Sequence, residues 1–388
     1  MTVSFVSIAA SSIKSAAVRT VGPSGVLLAA CLAFGATAAQ EIAIGVAGPM
    51  SGGEATFGRQ FRNGAELAAA DINAAGGVLG KQLRLEIGDD ACDPKQARSI
   101  AEKFANAGLP LVVGHSCSSS SIPASEAYAE GNVLQITPAS TNPQFTERGL
   151  WNTFRTCGRD DQQGAVAGAY LAKAFRGKNI AILNDKTTYG KGLADETKKA
   201  LNQAGVKERI LESYTKGDKD FTALVTKLKL GAIDIVYVGG YHQEAGLILR
   251  QMRDQGLKTV LMAGDALADK EYASITGPAG EGTLFTFGPD PRKTPANAAI
   301  VKRFGEKGID PEGYTLYTYA ALQVWSQAVA KAGTTDAKKV AAALKAGTWT
   351  SVLGPITYTP KGDMTTLGYV VYKWDSKGDY AELAPGGS

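Results

Sequence analysis

Histidine is almost missing from this chain of 388 residues: His115 and His242 are the only two. There are four cysteines and no Cys-x-x-Cys pair, so the usual zinc and iron–sulfur ligand patterns are absent and a metal site is not expected. A charge excess is missing as well. The 41 Lys and Arg nearly match the 37 Asp and Glu, and no dense basic cluster appears, which argues against a nucleic-acid surface. No Gly-x-Ser-x-Gly elbow occurs, Gly45-Val46-Ala47-Gly48 does not complete a dinucleotide fingerprint, and no phosphate loop ends in Gly-Lys-Ser/Thr. No catalytic residue and no cofactor is therefore expected. His115, Ser116 and Cys117 are not a catalytic set, because successive residues at a strand end point in different directions. Beyond residue 40 no apolar stretch reaches membrane length, and there is neither a solenoid repeat nor a low-complexity tract.

What is present is a globular composition, 44% hydrophobic and 20% charged, in a length that suits two domains. The first forty residues stand apart. Lys14 and Arg19 precede an apolar run over 26–34, then Ala36, Thr37, Ala38 and Ala39. This is the layout of a secretory signal, expected over 1–39, with an Ala-x-Ala type cleavage site and an apolar run too short to span a membrane. Leu28-Ala29-Ala30-Cys31 offers a second reading, a lipoprotein box with Cys31 as the lipid-bearing residue. The apolar run continues past Cys31 to the cleavage site, which favours a free exported protein. Loss of the leader leaves Cys92, Cys117 and Cys157. In an oxidising compartment that count fits one disulfide and one free thiol, and the residues alone do not fix the pair.

Strand and helix patterns alternate along the chain. Strands are expected over 41–49, 83–88, 109–113 and 133–137, with helices over 59–75, 94–106 and after the four serines at 118–121; residues 50–58 read as a loop. A second series follows, with helices over 160–175, 190–204, 221–229 and 244–255 and strands over 180–183, 210–213, 233–238, 260–263 and 283–287. Helices over 295–306, 314–332 and 336–346 precede late strands over 354–358 and 368–374 that could pair as a hairpin. Such alternation predicts an α/β fold of two mostly parallel sheets flanked by helices, and in such sheets ligands sit at the carboxyl ends of the strands. Two similar halves suggest two lobes across a cleft, closing by a hinge.

The densest polar strand end lies within residues 109–124 (LPLVVGHSCSSSSIPA). An apolar strand, a small-residue turn and a helix start leave free backbone N–H groups, backed by the helix dipole, which suits an anion. The serines could instead be plain caps, Tyr189 and Tyr241 surface covers, and Asp265 a turn residue; Asp185 reads as a cap or turn. Their common position after strands favours a shared binding site.

Several separated motifs carry a resemblance. Asp89-Asp90-Ala91-Cys92-Asp93-Pro94, Val113-Gly114-His115-Ser116-Cys117-Ser118, Thr137-Pro138-Ala139-Ser140-Thr141-Asn142-Pro143, Asp185-Lys186-x-x-Tyr189-Gly190-x-Gly192, Tyr237-x-Gly239-Gly240-Tyr241-His242, Gly354-Pro355 and Lys361-Gly362-Asp363 resemble, in order, the bacterial leucine/isoleucine/valine-binding protein family, from about residue 42 to 374. That resemblance implies a two-lobed type I periplasmic-binding-protein fold with three hinge crossings. The lobes are expected at 40–159 with 288–355 and at 160–287 with 356–388. It also implies a non-enzymatic periplasmic receptor, a monomer, that delivers a small amino acid to an inner-membrane ABC permease. By the same resemblance Ser118 and Thr141 would hold the ligand carboxylate, and the Ala139 carbonyl, the Thr141 hydroxyl and Asp265 its ammonium. Tyr189 and Tyr241 would close on the ligand, Phe57 and Tyr314 would line its side-chain pocket, and Cys92 would be joined to Cys117. The family pattern has Glu where this chain has Asp265 and Tyr or Trp where it has Phe57, which bears on ligand range. An amide, urea or aromatic-acid receptor on the same fold is the nearest alternative, and a two-lobed hydrolase the distant one. An acid opposite an anion site favours the zwitterion.

Overall fold

The computed structural model describes residues 41–366 and 368–383. The leader and Cys31 lie outside the described residues. The first half places β1 (Glu41–Gly48), α1 (Ala55–Ala74), β2 (Gln82–Asp89), α2 (Pro94–Asn106), β3 (Leu111–Gly114), α3 (Ser118–Glu130), β4 (Leu134–Thr137), the single turn α4 (Gln144–Glu147) and β5 (Thr153–Arg155) in order. The second runs α5 (Asp160–Ala174), β6 (Ile180–Asn184), α6 (Thr188–Gln203), β7 (Ile210–Ser213), α7 (Thr222–Leu230), β8 (Ile235–Gly239), α8 (His242–Asp254), β9 (Val260–Ala263), α9 (Lys270–Thr276) and β10 (Leu284–Phe287). The chain then forms α10 (Ala298–Glu306), α11 (Thr315–Ala332), α12 (Ala337–Ala346), β11 (Thr348–Ser351), β12 (Gly354–Thr357), β13 (Val370–Trp374) and β14 (Tyr380–Glu382).

Two sheets result. The first is wholly parallel, in the order β2-β1-β3-β4-β5. The second has the order β14-β13-β10-β9-β8-β6-β7, parallel from β6 to β10 and antiparallel at β13 and β14. Read from the crossing point, β2-β1-β3-β4 and β7-β6-β8-β9 are the same topology twice. Each half therefore has a switch point, between β1 and β3 and between β6 and β8, and a crevice opens beyond the strand ends there. The central strands are buried on both faces, which is why they read as continuous apolar runs: Leu111, Val112 and Val113 in β3, and Ile235, Val236 and Val238 in β8, are all fully buried.

The α/β alternation and the mostly parallel sheets match the sequence expectation; several boundaries do not. Helix α1 begins at Ala55, inside the stretch read as a loop. Tertiary contacts extend it: Thr56 Oγ1 donates to Asp269 Oδ2 at 2.5 Å, and the Phe57 ring packs on Tyr241, His242 and Tyr314. The late strands do not form one hairpin. Strand β12 pairs with β11, while β13 joins the second sheet beside β10. The short strand β5 was not legible, since three residues hold no period.

The chain passes between sheets after β5, after β10 and between β12 and β13. Residues 358–364 still belong with β5. Tyr358 packs edge-on to Phe154, the Arg155 N–H donates to Gly362 O at 3.1 Å, and Asp363 Oδ1 lies 2.8 Å from Arg155 Nε. The boundary expected at residue 355 therefore falls short of the last contacts of the first lobe. Arg155 is fully buried and also donates to Ser140 O at 2.6 Å and Asn142 O at 3.1 Å, while Arg159 bonds Asp363 Oδ2 at 2.8 Å. Among the described residues no helix is long and apolar enough to cross a membrane.

Candidate functional site

Strand β3 ends in a turn that only glycine fits. Gly114 has φ +140, and a Cβ there would stand 2.0 Å from Ala47 O on the neighbouring strand. The chain then turns into α3, whose own hydrogen bonds begin with the N–H groups of Ser120 and Ser121 on Cys117 O. The N–H groups of Ser118 and Ser119 stay outside that ladder, at the positive end of the helix. Cys117 caps the helix and is joined by a disulfide to Cys92, with Cα atoms 5.6 Å apart, so the turn is pinned to the loop after β2.

A buried polar chain supports that loop. The Cys92 N–H donates to Asp90 Oδ1 at 2.7 Å, the other Asp90 oxygen pairs with His115 Nδ1, and His115 Nε2 lies 3.0 Å from the Tyr128 hydroxyl. His115 is thus spent on structure. Among the described residues Cys157 is the free thiol, buried, with its sulfur 3.4 Å from Ser140 O, and burial pushes its pKa up to about 12. The leader-free protein should show no thiol reactive with Ellman's reagent when folded and one per chain when unfolded without reductant. Three on unfolding would refute the disulfide.

The strand ends of both lobes meet at one small cavity. From the first lobe come Phe57, Ser116, Ser118, Ala139 and Tyr314; from the second come Tyr189, Tyr241, Asp265 and Ala266. Seven residues singled out from sequence are therefore brought together. Thr141 is not among the lining residues. It is buried, its hydroxyl oxygen has no geometric partner among the described residues, and its carbonyl accepts the Asp160 N–H at 2.9 Å.

Asp265 is the charged group of the cavity. It is 3% exposed; the Tyr189 hydroxyl donates to Oδ1 at 2.7 Å, and the Tyr314 hydroxyl donates to Oδ2. Burial raises its pKa above the ordinary carboxylate value, and the two phenol hydrogen bonds pull it partly back. Aromatic rings cover much of the remaining wall: Tyr189 and Tyr241 stand 5.2 Å apart, and Phe57 and Tyr314 6.0 Å apart. The arrangement has a negative group on one lobe, a helix N-terminus on the other and apolar rings between. It suits a small solute bearing a cation, an anion and an apolar part. Among the described residues no group of acids, cysteines or histidines is placed to hold a metal ion.

Sequence reasoning missed Ser116 and Ala266, which carry no distinguishing side chain, and Asp160. That acid is fully buried in the first turn of α5, with neither carboxylate oxygen geometrically paired. Burial, and then Asp265 nearby, push it well above the ordinary carboxylate range. In sequence it looks like any acid opening a helix.

The sequence matches the family described as periplasmic binding protein over residues 41–379. A Leu/Ile/Val-binding protein homolog 1 from Brucella suis is 53% identical over 357 residues, covering 92% of this chain and 96% of that protein. An amino acid binding protein from Pseudomonas aeruginosa is 49% identical, covering 88% of this chain and 92% of that protein. Among solved structures, a leucine binding protein, LivK, from Thermotoga maritima superposes with a TM-score of 0.82 at 28% identity, covering 88% of this chain and 98% of that one.

Proposed function

Because the chain belongs to the periplasmic binding protein family, we propose that it captures a small aliphatic L-amino acid of the branched-chain class and hands it to the membrane permease of an ABC importer. In this reading the protein is exported by cleavage of its leader, acts as a periplasmic monomer and performs no catalysis. The lobes are 40–159 with 288–364, and 160–287 with the remainder.

The ligand first meets the first lobe. Its carboxylate takes the hydroxyl and free N–H of Ser118, with Thr141 beside it; its ammonium takes the Ala139 carbonyl and the Thr141 hydroxyl. Hinge closure then adds Tyr189, Tyr241 and the Asp265 carboxylate, while Phe57 and Tyr314 flank the side chain. Each charge of the zwitterion leaves water for a matched partner, which a buried charge requires. An apolar wall separates neighbours such as leucine and valine only weakly, since one methylene is worth about 1–3 kcal/mol in such a pocket.

The observation that carries this reading is the pairing, in one cavity, of a buried acid at Asp265 with the open helix start at Ser118. A melting screen against the twenty amino acids and a set of short amides, ureas and aromatic acids tests it. Leucine, isoleucine or valine in large excess should raise the melting temperature by a few degrees, because a ligand at about a hundred times its Kd adds about 2.7 kcal/mol. A shift with amides or aromatic acids and none with amino acids would overturn the zwitterion reading.

A further inference from the structure

Lys216 does not line the cavity, yet it joins the two lobes. It lies in the loop after β7, and its Nζ pairs at 2.9 Å with Oε2 of Glu54, the residue that precedes α1 on the first lobe. The same Nζ stands 5.1 Å from the centre of the Tyr241 ring, a cavity wall. The pair is shielded, with the Glu54 side chain 5% exposed and that of Lys216 25%. At the same edge Gln243 Nε2 donates to Gly53 O across the cleft at 2.9 Å.

The surroundings of Lys216 are acidic. Asp185 and Glu244 are buried on the second lobe, and each keeps one carboxylate oxygen without a hydrogen-bond partner. Glu244 Oε1 accepts the Gly217 N–H at 2.9 Å, directly beside Lys216 in sequence. Burial raises the Asp185 carboxyl to about 6, with nearby Glu244 adding to the rise and Lys216 drawing it back. Closing the lobes brings a third acid, Glu54, to a place that already holds two. Without a cation there, like charges would oppose closure.

We infer that Lys216 and Glu54 form an interlobe latch, in which Lys216 compensates the carboxylates gathered around Tyr241 and so sets how long a bound amino acid is retained. This rests on the reading above that the lobes close on an amino acid. The latch touches no ligand atom. It acts on the balance between open and closed forms, and a bias toward the closed form lengthens residence.

Its signature is an asymmetry between the two partners. Lys216→Met keeps an aliphatic stem on Tyr241 and removes the charge, leaving three acids uncompensated. Leucine should then dissociate about tenfold faster or more in stopped-flow displacement, with the association rate little changed. Lys216→Arg, which keeps the charge, should retain most of the wild-type residence time. Glu54→Gln alone should weaken retention less than Lys216→Met, and in the Lys216→Met background it should restore part of the loss by removing one of the opposed acids. An unchanged dissociation rate in Lys216→Met, or the same loss from Glu54→Gln in both backgrounds, overturns the latch. If the wild-type protein binds none of the twenty amino acids, the receptor reading fails on its own. The latch is then judged on ligand-free protein by small-angle scattering: Lys216→Met more extended than wild type supports it, and identical profiles overturn it.

Discussion

Asp265→Ala should lower the affinity for leucine by a factor of about thirty or more in titration calorimetry, because truncating one partner of a buried, hydrogen-bonded charge pair costs about 2–5 kcal/mol. Among the described residues no other carboxylate lines the cavity to replace the lost counter-charge. The change also strips the acceptor from two phenols, Tyr189 and Tyr314, which both donate to Asp265. Asp265→Asn separates the two effects: it keeps an acceptor for the phenols and loses the charge, and its affinity should stay close to that of the alanine variant. Unchanged affinity in both variants would place the ammonium elsewhere.

The pH dependence has a definite sign. Burial raises the pKa of Asp265, and a bound ammonium favours the ionised form, so leucine affinity should fall as pH drops through the pKa of the folded protein. The protein's own stability responds the other way. The folded state holds this proton more tightly than the unfolded chain, so the contribution of Asp265 to stability is complete below the unfolded pKa and is lost as pH rises through the folded one. Affinity and ligand-free stability measured together from acid to neutral pH should move in opposite directions at this residue, and Asp265→Asn should remove both trends. Parallel trends would count against the assignment.

Cys92→Ser combined with Cys117→Ser should cost about 3.5 kcal/mol of stability by the chain-entropy relation, since the bridge closes a loop of 25 residues. The loss should reach the site as well, because Cys117 caps the helix whose first residue is Ser118. Leucine affinity should therefore fall along with the denaturation midpoint. Peptide mass spectrometry without reductant should recover Cys92 linked to Cys117. Loss of stability without loss of affinity would mean that Gly114 and the Asp90–His115–Tyr128 chain hold the turn unaided.

The fold was legible because its central strands are buried on both faces and so appear as short apolar runs between helical periods, as in residues 111–113 and 235–238. The cavity walls were legible for a related reason. A parallel sheet delivers the residue after each strand to one edge, so Ser118, Ala139, Tyr241 and Asp265 share an address although nearly 150 residues of chain separate the first from the last. What escaped was whatever depends on the facing lobe. Ala55 opens a helix because Asp269 and three aromatic rings hold the turn behind it. Lys216 and Glu54 are two ordinary surface-type residues until the lobes are set face to face. Asp160 resembles a first-turn acid until its burial beside Asp265 is seen.

The ties around Asp363 bear on how such a body moves. Arg155 and Arg159 stand at the first passage between lobes, and both reach Asp363, which stands just before the third. Two of the three connecting strands are therefore riveted to each other at their roots. Riveted strands bend together about one line, like the leaves of a door hung on a fixed pin, and resist shearing past each other. In the binding proposed above, a solute in the cleft would then meet the second lobe along a single arc, with Tyr189, Tyr241 and Asp265 arriving in fixed relation to one another. The door frame, in this protein, lies outside the cavity altogether.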